Sequence, residues 1–243
     1  MTNLIRNCAH YSTHQTLIDQ SGDASHARTI KTTFAPDGVA GLQAEYDGLT
    51  WYASRLGQDI ATIVLQFRAT TGYARLETRY IDGTVVPMPA DPDGLSNKFE
   101  AAVDYYIAHL WSGSDMPSHG DFSLSNHVFD QADKIARIID WEHFNNALPP
   151  QYDPLYMITE PFLFWHVNNK TSSARSITKA QRCIAKLHED IGLGADATAM
   201  PASWLRETAD AHREVWGCQV GKVPFLNAAP QNIAAVDALL GTA

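Results

Sequence analysis

Two short segments, His119-Gly120-Asp121-Phe122-Ser123-Leu124-Ser125-Asn126 and Ile138-Ile139-Asp140-Trp141-Glu142, constrain this chain more than any other feature. The first sets an acid and an amide in one short polar loop. The second ends an apolar, strand-like run on an acid. Together, Asp121, Asn126 and Asp140 would bring three oxygen-bearing side chains to one point. Hard oxygen ligands are what magnesium requires, and phosphoryl transfer needs a protein mainly to position a hydroxyl and neutralise charge. Taken singly, a loop Asp or Asn is usually a turn or cap residue bonded to nearby backbone. The joint spacing is what points to chemistry.

In the order His-x-Asp-x4-Asn followed by a strand-end Asp, these residues resemble the catalytic loop and metal-binding Asp of the protein-kinase-like fold. The wording His-Gly-Asp and Asp-Trp-Glu is closer to its small-molecule branch, the aminoglycoside phosphotransferase and choline kinase-like families. The resemblance implies that Asp121 orients the acceptor hydroxyl and takes its proton, while His119 braces the loop. It implies that Asn126 and Asp140 hold Mg2+ against the phosphates of ATP or another nucleoside triphosphate. Glu142 lies on the same strand face as Asp140 and serves either the metal and acceptor or as a hydrogen-bonded brace. The implied reaction moves a γ-phosphoryl group to a hydroxyl of a small molecule such as a sugar, amino sugar or amino alcohol.

Upstream, residues 1–35 read as short antiparallel strands with a turn at Ser21-Gly22-Asp23-Ala24. After a turn at Pro36-Asp37-Gly38, a helix is expected from about Gly41 to Leu56, with Leu42, Tyr46, Leu49 and Ala53 on one face. A strand bearing Lys31 and a helix bearing Glu45 resemble the Lys-Glu ion pair of the kinase-like small lobe, in which the Lys holds nucleotide phosphates. Read without the downstream motif, both are ordinary solvated residues. Two further runs, Ile60 to Phe67 and Tyr73 to Ile81, read as a hairpin. The second resembles the strand that enters the interlobe hinge, so Arg79, Tyr80 and Ile81 are candidates to meet the nucleotide base.

One departure from the family pattern stands before Lys31, where no glycine occurs between Met1 and Gln20. The usual Gly-rich phosphate-covering loop is therefore missing, and only Ala9-His10-Tyr11-Ser12-Thr13 offers a comparable turn. This motivates an alternative, a catalytically inert kinase-like protein that binds nucleotide or a protein partner. A metal-dependent hydrolase built on His119, Asp121, His127 and Asp140 is disfavoured, since zinc hydrolases use three ligands plus water and no His-Glu-x-x-His spacing occurs.

The Pro- and Gly-rich stretch from Pro87 to Gly94 reads as a linker, which divides the chain into a nucleotide-binding lobe of residues 1–83 and a catalytic and acceptor-binding lobe of residues 84–243. Asn97 to Ser112 is amphipathic, with Phe99, Val103, Ile107 and Leu110 at helical spacing. His127-Val128-Phe129 and Ile135 to Ile139 form a hairpin that delivers Asp140, with Asp133 and Lys134 as its turn. Asp153-Pro154 opens a helix, apolar nearly all round, that runs to Val167; Asp153 is expected to brace the catalytic loop. Three more helices are expected at Ser176 to Ile191, Pro201 to Trp216 and Gln231 to Leu240. The whole is an α+β, two-lobed protein-kinase-like fold: a small antiparallel sheet with one helix, then a larger, mainly helical lobe.

A formal charge of −9 without any Lys/Arg cluster disfavours nucleic acid as a partner. No long uncharged apolar run suggests a membrane span, and the first residues lack the order of a signal peptide, so a cytoplasmic location is expected. Cys8, Cys183 and Cys218 are odd in number and widely spaced, as befits reduced thiols. The sequence leaves the acceptor's identity and the oligomeric state open.

Overall fold

The computed structural model describes residues 4–7, 14–20, 27–87 and 91–242. The chain divides into two compact units, one built from the described residues up to Asp82 together with Ile139–Phe144, the other from Gly83–Ile138 and Asn145 onward.

In the smaller unit, β1 (Leu4–Asn7), β2 (Gln15–Asp19), β3 (Arg28–Thr33), β4 (Val64–Thr70) and β5 (Tyr73–Arg79) form one antiparallel sheet in the order β1-β2-β3-β5-β4. The β4–β5 hairpin closes with Thr70 opposite Tyr73, so Thr71 and Gly72 make a two-residue turn. Across β2, β3 and β5, Arg28 bridges Asp19 at 3.2 Å and Glu77 at 3.0 Å. The single α-helix among the described residues of this unit, α1 (Pro36–Arg55), lies between β3 and β4 in sequence and contacts both strands and β5. Its Leu42, Leu49 and Ala53 are buried, and Tyr46 stacks on Phe67 at 4.6 Å.

Two local readings change here. The helix starts at Pro36, five residues earlier than the pattern suggested, because a proline suits the first helical position and the expected turn is the helix's own first turn. Ile60–Thr62 is a short 3₁₀ turn instead of strand, since the Asp59 side chain accepts from the Ala61 N–H at 2.9 Å and closes the chain on itself. The expected turn at residues 21–24 and the candidate phosphate-covering turn at residues 9–13 lie outside the described residues.

Segment Ile139–Phe144 belongs to this unit because Trp141 packs into it. Its ring lies 5.4 Å from that of Tyr52 and 5.8 Å from that of Trp51, and Gly48 on α1 makes room for it. A Cβ added at Gly48 would meet Trp141 Cβ at 2.7 Å and Phe144 Cβ at 3.1 Å.

The larger unit holds α2 (Pro92–Tyr105), the hairpin β6 (His127–Phe129) and β7 (Ile135–Ile138), α3 (Tyr152–Val167), α4 (Ala174–Ile191), α5 (Ala195–Ala199), α6 (Pro201–Ala211), α7 (Pro224–Asn227) and α8 (Pro230–Leu240). Helix α3 is its centre, buried from Tyr152 through Leu163 and packed against α2, α4, α6, α7 and α8. The linker expected from Pro87 to Gly94 ends inside α2, whose first turn is capped by the Asp91 side chain at 2.9 Å from the Asp93 N–H. Helix α2 continues as one π turn, Tyr106–Leu110, closed by the Trp111 N–H donating to the Tyr106 carbonyl at 2.9 Å. Tyr106 is buried where Ile107 was expected, because it continues the α-helical face of Phe99, Ala102 and Val103 at spacing i, i+3, i+4, i+7. Gly192 ends α4 at φ 69°, and Cys183 on that helix is a buried free thiol. Among the described residues no helix is long and apolar enough to cross a membrane.

Gly48→Ala tests the close approach of α1 to Trp141. In an open helix, alanine would stabilise by about 1 kcal/mol; here overpacking should reverse the sign and cost about 1–3 kcal/mol, read from the urea midpoint.

Candidate active site

The candidate residues form two clusters, one in each unit. In the smaller unit, β3 carries Lys31 and α1 carries Glu45, both buried. The Lys31 Nζ donates to both Glu45 oxygens, at 2.8 and 2.7 Å, and also to Asp140 Oδ1. Burial opposes the charge on Lys31, but Asp140 and Glu45 outweigh it, so the ammonium is held charged with its pKa raised. Burial pushes the Glu45 carboxyl up to about 7 despite Lys31, with the charge of Asp140 adding to the rise. Asp140 stands at φ 61°, a left-handed conformation that few side chains adopt and that Asp tolerates better than most.

Two residues on, Glu142 lies between His14, 3.6 Å away, and His143, 3.8 Å away. Neither distance is that of a hydrogen bond, and Glu142 Oε2 is buried without a hydrogen-bond partner among the described residues. Of the three hinge candidates, Arg79 donates its N–H to the Ile63 carbonyl at 2.8 Å and Tyr80 its N–H to the Ala27 carbonyl at 3.0 Å. Both amides are spent within the unit, which leaves the amide of Ile81 as the donor this stretch can offer to a base.

In the larger unit, the loop from His119 to Asn126 is fixed from several sides. Asp153, in the first turn of α3, accepts from the His119 N–H at 2.6 Å and from the Gly120 N–H at 3.0 Å. Gly120, at φ 84°, makes the bend that aims both amides at one carboxylate. His119 Nδ1 accepts from the Asp121 N–H at 3.3 Å. Phe122 is buried with its ring edge-on to Tyr106 at 5.4 Å and to His127 at 4.5 Å. A 3₁₀ turn, Leu124–Asn126, then returns the chain so that Asn126 Nδ2 donates to the Asp121 carbonyl at 2.7 Å and to Asp121 Oδ2 at 3.3 Å. Asp121 and Asn126 are thus neighbours, and the amide nitrogen of Asn126 is committed to Asp121.

Helix α3 also carries residues that the sequence pattern did not single out. Glu160 is buried and accepts from the Tyr156 hydroxyl at 2.8 Å through one oxygen; its other oxygen and the Tyr152 hydroxyl have no hydrogen-bond partner among the described residues. Burial, and then the charge of Asp121, raises the Glu160 carboxyl well above the usual range. The available signal was a glutamate in a helix apolar nearly all round, since such a residue is rarely buried without a partner.

Among solved structures, the GDP complex of wild-type aminoglycoside 2'-phosphotransferase-IIIa aligns over 97% of this chain and 92% of its own, with a TM-score of 0.51 at 8% identity. An aminoglycoside phosphotransferase from Streptomyces rimosus ATCC10970, in complex with ADP and streptomycin, covers 79% of this chain and 88% of its own, with a TM-score of 0.47 at 16% identity. An aminoglycoside-3'-phosphotransferase of type VIII covers 98% and 92%, with a TM-score of 0.42 at 12% identity. No protein-family model and no curated protein matches the chain. The first alignment gives the fold: this is an α+β chain with the protein-kinase-like fold of the aminoglycoside phosphotransferases.

The Asp153 brace yields a pH prediction. Burial pushes its carboxyl up to about 7, against the two amide bonds that favour its charged form. An acid whose folded pKa lies above its unfolded value, about 4, holds its proton more tightly when folded. Its contribution to stability is therefore full below pH 4 and is lost as pH rises toward 7. Asp153→Asn should make the decline in urea-denaturation stability between pH 5 and 8 shallower than in wild type. An unchanged slope would show that this carboxyl does not titrate in that window.

Proposed function

We propose that this protein is a small-molecule kinase that transfers the γ-phosphoryl group of ATP, or another nucleoside triphosphate, to a hydroxyl of its acceptor. The observation that carries the reading is the buried Lys31 ammonium engaged by Glu45 and Asp140. Two carboxylates keep this ammonium charged and fixed in place, which suits it to meet polyphosphate. Glu45 aims the ammonium through two short bonds, and Lys31 stays charged.

The donor set suits magnesium. Asn126 spends its side-chain nitrogen on Asp121, which leaves Oδ1 as the atom to face a cation, and Asp140 supplies a carboxylate; both are hard oxygens. When bound, the ion would neutralise phosphate charge. In the loop, Asp121 takes the proton from the acceptor hydroxyl and orients it. Its own carboxylate is steadied by Asn126 Nδ2, and its backbone by His119. Ile81 meets the nucleotide base through its backbone.

The acceptor end is read from Glu160, Tyr152 and Tyr156. Burial first, and then nearby carboxylates including Asp121 and Glu160, raise both tyrosine hydroxyls well above their usual range, so they stay protonated and able to donate.

The test is a panel of hydroxyl compounds, with and without amines, screened for stimulated ADP release in the presence of magnesium. At least one hydroxyl-bearing member should stimulate release. With an active acceptor, Asp121→Asn should retain the folded circular dichroism spectrum and lose about 10²- to 10⁴-fold in rate. Lys31→Ala should weaken magnesium-ATP binding more than adenosine binding. Nucleotide binding without turnover on any acceptor would return the chain to the inert reading, and full activity in Asp121→Asn would remove Asp121 from the catalytic role.

A further inference from the structure

We infer that His127 is a positioning residue: by holding the Ser123 carbonyl, its imidazole fixes the tight turn on which Asn126 stands, at a cost in stability. The inference rests on the phosphotransferase reading for its consequence, the aim of Asn126, but its structural content can be tested without it.

His127 opens β6 and is fully buried. Its Nδ1 lies 2.8 Å from the Ser123 carbonyl oxygen. A carbonyl only accepts, so Nδ1 carries the proton and Nε2 presents a bare lone pair. That Nε2 is buried without a partner among the described residues. The ring is held by aromatic neighbours, Phe122 edge-on at 4.5 Å and Phe129 stacked at 6.2 Å. An apolar side chain of similar size would suit these neighbours and would leave no orphaned nitrogen, whose burial costs free energy. Packing therefore does not account for an imidazole here, whereas the bond to Ser123 does.

That bond acts at a sensitive point. The same Ser123 carbonyl accepts the Asn126 N–H at 3.0 Å, so one oxygen anchors both the 3₁₀ turn and the ring that follows it. From this turn Asn126 reaches back to Asp121. A Ser123 carbonyl held by one donor instead of two frees the turn to rotate, and the Asn126 amide swings with it. The catalytic acid and the amide that steadies it would then lose their common frame, while the core beneath remains packed.

Three substitutions separate this role from a structural one. His127→Leu removes both nitrogens, His127→Asn keeps a donor near the place of Nδ1, and His127→Gln keeps one nearer the place of Nε2. Stability is read from urea denaturation, loop order from amide hydrogen exchange of the peptide spanning residues 121–126 in ligand-free protein, and magnesium demand from the concentration giving half-maximal nucleotide binding. His127→Leu should be at least as stable as wild type, yet exchange faster in the loop and require about 10- to 100-fold more magnesium, the range seen when outer partners of metal ligands are removed. His127→Asn should recover most of both, and His127→Gln should not. The inference is overturned if His127→Leu keeps wild-type loop exchange, or loses stability without recovery in His127→Asn. Should His127→Leu fail to fold, indistinguishable exchange in the Asn and Gln variants overturns it. If the wild type shows no magnesium-dependent nucleotide binding, the kinase reading fails on its own, and the exchange data still decide the role of His127.

Discussion

The smaller unit depends on one buried cation. Lys31 leaves β3 in the interior, where an unpaired ammonium would be prohibitively expensive. Glu45 from α1 and Asp140 from the 139–144 segment meet it there. Removing Lys31 would leave the buried Glu45 carboxylate uncompensated, a loss that typically costs about 3–5 kcal/mol. A sheet, a helix and a segment distant in sequence are therefore tied at one atom. Around that tie the apolar contacts fall into place: Trp141, adjacent to Asp140, fills the space that Gly48 leaves on α1. The left-handed backbone at Asp140 fits the same picture, since a strained conformation persists only where its surroundings over-determine it.

The larger unit solves a different problem, that of holding a polar loop rigid. Backbone amides of His119 and Gly120 converge on Asp153, the Asp121 amide is taken by His119, and the Ser123 carbonyl collects two donors. Asp153 sits at the start of α3, the most buried helix of the unit, so the loop's anchor inherits the rigidity of the core. Asp121 and Asn126 are thus fixed through the backbone that carries them.

Much of this was legible in the sequence because it rests on spacing. The His119 to Asn126 and Asp140 pattern, the Asp153-Pro154 helix start and the amphipathic face of α1 follow from residue type at a fixed interval, while the Lys31 and Glu45 pair came only through the resemblance to the kinase-like small lobe. What was not legible depends on tertiary context. The π turn that follows α2 is one wider hydrogen-bonded ring, and no local composition announces it. Pro36-Asp37-Gly38 has turn chemistry that also suits a helix's first turn, and packing of α1 on the sheet decides between them. The amides of Arg79 and Tyr80 look available in a strand-to-hinge reading, yet neighbouring carbonyls from Ala27 and Ile63 take them.

Glu160 was hidden for a physical reason of another kind. A helix buried on every side erases the contrast between faces by which a functional position is recognised. On such a helix the informative residue is the polar one that the core does not satisfy. Glu160 and Tyr152, together with Thr159, bury side-chain atoms with no partner among the described residues, while most buried polar atoms in folded proteins are bonded. Grouped on one stretch of α3, and with the first two coupled electrostatically to the loop acid Asp121, these atoms cost the ligand-free protein stability.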